Sequence, residues 1–166
     1  MHEHNQKFTE LLAEFDTAML VTRSLGQQLR ARPMALASHG RDDGVLWFAS
    51  RAEDEKLEEI RAAPDVAVTM QAAGRYLSVT GRARIENNET LAGELWSPSM
   101  KLWFPDGPGD PHLALIAVEP LLGEYWDRRG ALRLEFLWEA GKALVRGEKL
   151  DDDRLSGHAK LRPEGR

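Results

Sequence analysis

Cysteine is absent from this chain. That excludes disulfides, thiolate nucleophiles and cysteine-based zinc or iron–sulfur sites, and it fits a reducing compartment. A net basic charge is also missing. The formal charge is -5, a poor match for the phosphate-contacting surface on which nucleic-acid affinity rests. No apolar run reaches the roughly 18 residues that a membrane-spanning helix needs. The start, MHEHNQKFTE, is polar and lacks an apolar signal core, so the expected location is cytoplasmic. Four enzyme signatures are missing too: GxGxxG after a strand, GxxxxGK[ST], HExxH and GxSxG. The five histidines are scattered without a metal-binding spacing, and no metal is expected.

What is present is short apolar segments between turn signals. Phe8, Leu11, Leu12 and Phe15 have the spacing of a short amphipathic helix. Strands are expected over Ala18–Arg23, Pro33–Ser38 and Val45–Ala49, the last two forming a hairpin around Asp43-Gly44. The charged stretch Arg51–Arg61 reads as a helix stopped before Pro64, with its five carboxylates on a solvated face. Val66–Gln71 and Tyr76–Ile85 read as strands, the second bulged or bent at Gly81. One or two helices follow over Asn88–Leu102, then a Gly/Pro/Asp loop and strands Leu113–Glu119 and Leu121–Trp126. Residues 132–144 read as helical, and a charged tail follows in which Ala159 and Leu161 are able to dock. No repeat or linker divides the chain. The expectation is one domain over 1–166, with a core at about 6–128: a mainly β barrel of six to seven strands with two to four helices.

Three residues suit a phosphate monoester. Hairpin pairing sets Arg32 beside Ser50, and Lys56 lies on the first turns of the next helix. A guanidinium fork, a hydroxyl, an ammonium and a helix N-terminus then converge. Five tryptophans are many for this length. Trp47 and Trp138 suit a core, whereas Trp96, Trp103 and Trp126 stand in or beside loops, as in a cleft for a planar ligand.

The ordered strings RARPMALA, LWFASRAEDEKLEEIRAAPDVAV, YLSVTGRARI, KLWFPDGPGDP and EYWD resemble the pyridoxamine 5′-phosphate oxidase-like FMN-binding split barrels, and within them the general stress protein 26 branch. The resemblance implies a homodimer with FMN in two clefts at the interface. It also implies an oxidoreductase of unknown substrate. Residue by residue, Arg32 and Lys56 match the phosphate contacts, and Pro33, Met34 and Ala35 the strand lining the flavin ring. Ala49 and Ser50 match the pair near the ring and the ribityl–phosphate end. Tyr76 stands where relatives often carry a glutamine reaching the flavin from the partner. Trp126 matches a tryptophan near the cofactor, and Trp103 with Phe104 would cap the site. Two departures stand out: Glu55 replaces a phosphate-binding arginine, which implies weaker FMN binding, and WDRRGALRLEF supplies arginines without the histidine of the oxidases' arginine–histidine pair, which counts against vitamin B6 oxidation. A non-catalytic flavin (FMN or FAD) binding or sensing protein is the competing reading, and an F420- or haem-binding split barrel a further one.

Overall fold

The computed structural model describes residues 12, 14–37, 44–127 and 157–161. Among the described residues, seven strands form one antiparallel sheet. β1 is Thr17–Arg23, β2 Leu29–Ala35, β3 Leu46–Arg51, β4 Asp65–Ala72, β5 Arg75–Glu86, β6 Leu113–Asp127 and β7 Gly157–Leu161. The spatial order is β2-β1-β4-β5-β6-β3, and β7 pairs with β6 beyond that path. The sheet curls until its two edges almost meet. There, β2 and β3 are linked by the isolated bridge Leu36↔Phe48 and by the Ala37 N–H donating to the Trp47 carbonyl. This is a split barrel, as expected from the sequence.

Alternation decides which face each strand buries. β1 and β4 switch between exposed and buried residue by residue, the period-two signature of a half-covered sheet. Their inward side chains (Ala18, Leu20, Val66, Val68, Met70) join Leu46, Phe48, Val79, Ile116 and Val118 in the barrel core. β6 differs: Leu113–Val118 are all buried. Ala114, Ile116 and Val118 point into the barrel, whereas Leu113, Leu115 and Ala117 meet a second cluster with Trp47, Leu95, Met100 and Phe104. That cluster is held by helix α2, Glu89–Glu94, and by the 3₁₀ turn Pro98–Leu102. Covering both faces explains the continuous apolar run.

Helix α1, Glu55–Ala62, follows β3 and ends before Pro64, as its sequence indicates. Leu57 and Ile60 seat it on the barrel. The expected irregularity at Gly81 is present as a register shift between Thr80 and Gly81. A Cβ there would lie 2.6 Å from the Glu119 carbonyl oxygen, so the bulge demands glycine. The tail segment docks on β6, with Tyr125↔Ala159 and Gly123↔Leu161 in register.

Four expectations change. β2 and β3 do not form a hairpin: β2 pairs with β1 and β3 with β6, because the long strand β6 offers β3 a full apolar partner. β2 begins at Leu29, so Arg32 is central in it. The last two expected strands are one, since Pro120 lies opposite the bulge and does not break β6. The helix face expected to be solvated buries Glu59 completely. The part of the expected N-terminal helix before Leu12, the 132–144 segment with Trp138, and the Asp43 turn position lie outside the described residues.

Candidate functional site

The site begins with the alternation of β2. Arg30, Arg32 and Met34 share one face and pair in register with Thr22, Leu20 and Ala18. Ala31, Pro33 and Ala35 share the opposite, exposed face. Among the inward residues, Met34 enters the core, but the arginines cannot. They meet α1 across the slit in the barrel.

Glu59 is the counterion. Arg32 donates to its Oε2 at 2.9 Å and Arg30 to its Oε1 at 3.0 Å. Arg32 also donates to Thr22 Oγ1 at 2.6 Å, and the Thr22 hydroxyl donates onward to Glu59 Oε2. The ring Arg32–Thr22–Glu59 is thus closed, and Arg30 extends it to Glu55 at 2.7 Å. Burial by itself would raise the Glu59 carboxyl. The hydrogen bonds from Thr22 and Arg32, with the charges of Arg32 and Arg30, outweigh it and hold the group below the usual carboxylate range.

A second closed set sits where β3 enters α1. Lys56 Nζ donates to Ser50 Oγ at 3.0 Å, Ser50 Oγ donates to Asp54 Oδ2 at 3.0 Å, and Lys56 pairs with Asp54 directly. Burial would raise Asp54, but the Lys56 hydrogen bond and charge and the Ser50 hydroxyl leave it lowered. Arg32 and Ser50 were expected to be neighbours through hairpin pairing. They belong instead to two separate sets joined through α1.

The outward face carries the other expected residues. Cross-strand register runs Pro33↔Met19↔Thr69↔Ser78 and Gln71↔Tyr76↔Trp126. A groove of about 430 Å³ lies here, lined by Met19, Thr69, Gln71, Tyr76, Ser78 and Trp126 among others. That volume falls within the range of small-molecule sites, roughly 300–1,000 Å³. Tyr76 is 39% and Met19 38% exposed, so apolar surface faces outward beside Pro33 and Ala35. Ala49 and Ser50 are turned to opposite sides of β3: Ala49 packs on the second cluster, whereas the Ser50 hydroxyl meets Lys56. The expected cap divides as well. Phe104 is buried in the second cluster, and Trp103 is 59% exposed beside Leu102 at 80%. Trp96 packs against the same cluster as Phe104.

Sequence reasoning missed Glu59, Thr22, Asp54, Met19 and Gln71. A signal for Glu59 existed: it stands between the buried positions Leu57 and Ile60, opposite two arginines spaced i, i+2 on a strand. Among the described residues, no group of three metal-ligating side chains occurs, and no helix is long and apolar enough to cross a membrane.

Comparison with known proteins gives consistent matches. The chain is 33% identical over 84 residues to General stress protein 26 of Bacillus subtilis, covering 47% of this chain and 59% of that protein. It is 28% identical over 119 residues to the bli-3 protein of Neurospora crassa, covering 65% and 57%. It therefore spans less than two thirds of these curated relatives. Among solved structures, a general stress protein 26 from Jannaschia sp. CCS1 superposes with TM-score 0.72 at 24% identity, over 98% of this chain and 99% of that one. The general stress FMN/FAD binding protein of Xanthomonas citri superposes with TM-score 0.67 at 22% identity, over 79% and 93%. At these identities the superpositions speak for the fold. The model of the pyridoxamine 5′-phosphate oxidase like family matches residues 3–151, and with the slit barrel just described this chain belongs to that family.

Proposed function

We propose that the chain binds FMN as a homodimer and works as a flavin-dependent oxidoreductase. The observation carrying this is the outward groove, where Tyr76 and Trp126 stand side by side on β5 and β6 with Met19 and Pro33 close in register. Such a surface suits a planar ring and a second subunit. Lys56, Ser50 and Arg32 would hold the phosphate. Pro33, Met34, Ala35 and Ala49 belong to the strands beside the ring, and Trp103 would cover it. FMN, when bound, supplies the redox chemistry; the protein supplies position and exclusion of water. The chain is read as one domain, working in the cytoplasm.

The fit is incomplete at the phosphate. The described cations there are already paired with carboxylates: Arg30 and Arg32 with Glu59, Arg30 also with Glu55, and Lys56 with Asp54. This favours a second reading, a flavin carrier or sensor tolerant of several flavins. The Xanthomonas citri neighbour described as FMN/FAD binding agrees with it. Vitamin B6 oxidation is not expected, because the arginine–histidine pair is missing.

The experiment is an absorption spectrum of the purified chain before and after FMN, followed by reduction with a nicotinamide cofactor and exposure to air. A bound-flavin spectrum with aerobic reoxidation supports an oxidoreductase. Stable binding without reduction supports a carrier, and no spectrum at all overturns both. Sedimentation with FMN present is expected to show a dimer; a monomer at micromolar concentration would contradict the shared site.

A further inference from the structure

We propose that Glu59 is an internal competitor for the ligand's phosphate, and that its carboxylate sets how strongly this chain prefers phosphorylated flavins. The inference rests on the flavin reading, and its test separates the two.

Arg32 presents a fork suited to two acceptors. One terminal nitrogen is taken by Thr22 Oγ1 at 2.6 Å and the other by Glu59 Oε2 at 2.9 Å. Glu59 is fully buried and Arg32 is 19% exposed, so water screens this pair little. The second arginine, Arg30, is shared between Glu59 and Glu55. Among the described residues, a phosphate reaching this slit would find three cations, Arg30, Arg32 and Lys56, each already facing a carboxylate, Glu55, Glu59 or Asp54. It would share Arg32 with the Glu59 carboxylate, and two anions on one guanidinium repel each other where water screens little. The gain from a charge-assisted contact is thereby largely cancelled, whereas a ligand lacking phosphate is unaffected. Glu59 is not among the residues lining the groove, so it would set specificity through Arg32. Replacing its charge with an amide keeps a hydrogen-bond acceptor for Arg32 but removes the competing anion.

The test uses Glu59→Gln in the full chain, titrated with FMN, with riboflavin and with inorganic phosphate. FMN affinity is expected to rise about tenfold, the size of one modest charge-assisted contact, while riboflavin moves less than about threefold. Inorganic phosphate is expected to raise the melting temperature of the variant and not that of the parent. Glu55→Gln, at an exposed side chain, is the milder second variant, with a smaller FMN gain expected, and serves if Glu59→Gln does not fold. If both flavins bind but neither variant changes the FMN-to-riboflavin ratio, the Glu59 proposal is overturned and the flavin reading stands. If phosphate stabilises the variant yet no flavin binds either protein, Glu59 does guard an anion site and the flavin reading fails. No phosphate response together with no flavin binding overturns both.

Discussion

Two ion-pair clusters in this chain are near mirror images in composition and opposites in setting. At the slit, one carboxylate, Glu59, is gripped by two arginines and is wholly buried. On the surface, one arginine, Arg84, is gripped by two carboxylates, Glu86 at 2.8 Å and Glu119 at 2.5 Å, and is 43% exposed. Counting contacts ranks them alike. Solvent does not. The buried set was desolvated on folding and is sustained only while every partner stays. The exposed set trades protein contacts for water at little net gain. The same kinds of charge thus form a buried, mutually dependent set in one place and surface decoration in another.

The largest effect is expected from Glu59→Ala. It leaves Arg32 facing Thr22 alone in a mostly buried position and should destabilise the fold by about 3–5 kcal/mol, read from urea denaturation at neutral pH. A loss below about 1 kcal/mol would mean that water reaches the slit.

The pH dependence sharpens the same contrast. The Glu59 carboxyl is held below its ordinary value of 4.5 in the fold. A group lowered on folding stabilises the protein fully above that ordinary value and loses the contribution as pH falls through its folded value. Stability should therefore drop on acidification from pH 4.5 downward, and it should drop less steeply in Glu59→Gln. Equal slopes for parent and variant would contradict the assignment.

At the second set, Lys56→Ala is expected to weaken FMN by about tenfold, while riboflavin is scarcely changed. Equal losses for the two flavins would place the phosphate elsewhere. The smallest effect belongs to Arg84→Ala, which should cost under about 1 kcal/mol. A larger loss would point to its stacking over Trp47, 5.7 Å from the ring centroid.

Much of this was legible in the residue pattern, for reasons that are local. α1 ends where Pro64 requires it to, and the bulge sits at Gly81 where no Cβ fits. Arg32, Ser50 and Lys56 stand out by their chemistry, and the fold divides them between two ion-pair sets, Arg32 with Glu59 and Lys56 with Ser50 and Asp54. The hairpin was misjudged because adjacency in sequence competes with the pairing strength of a distant strand. β6 is 15 residues long and apolar on both faces, and it captures β3 from far along the chain. Glu59 was misread for a related cause. Charge on a short helix suggests solvent until the strand opposite is known to present two arginines inward.

In the proposed binding mode, the ring and the phosphate of one flavin would be held by different parts of the chain, the outward groove and the slit beneath α1. Equilibrium titrations of FMN and riboflavin against Tyr76→Ser, Trp126→Leu and Lys56→Ala test it directly. Each groove substitution should weaken both flavins alike, by about 3- to 10-fold, while Lys56→Ala weakens FMN alone. Groove variants that bind both flavins as tightly as the parent would contradict the account.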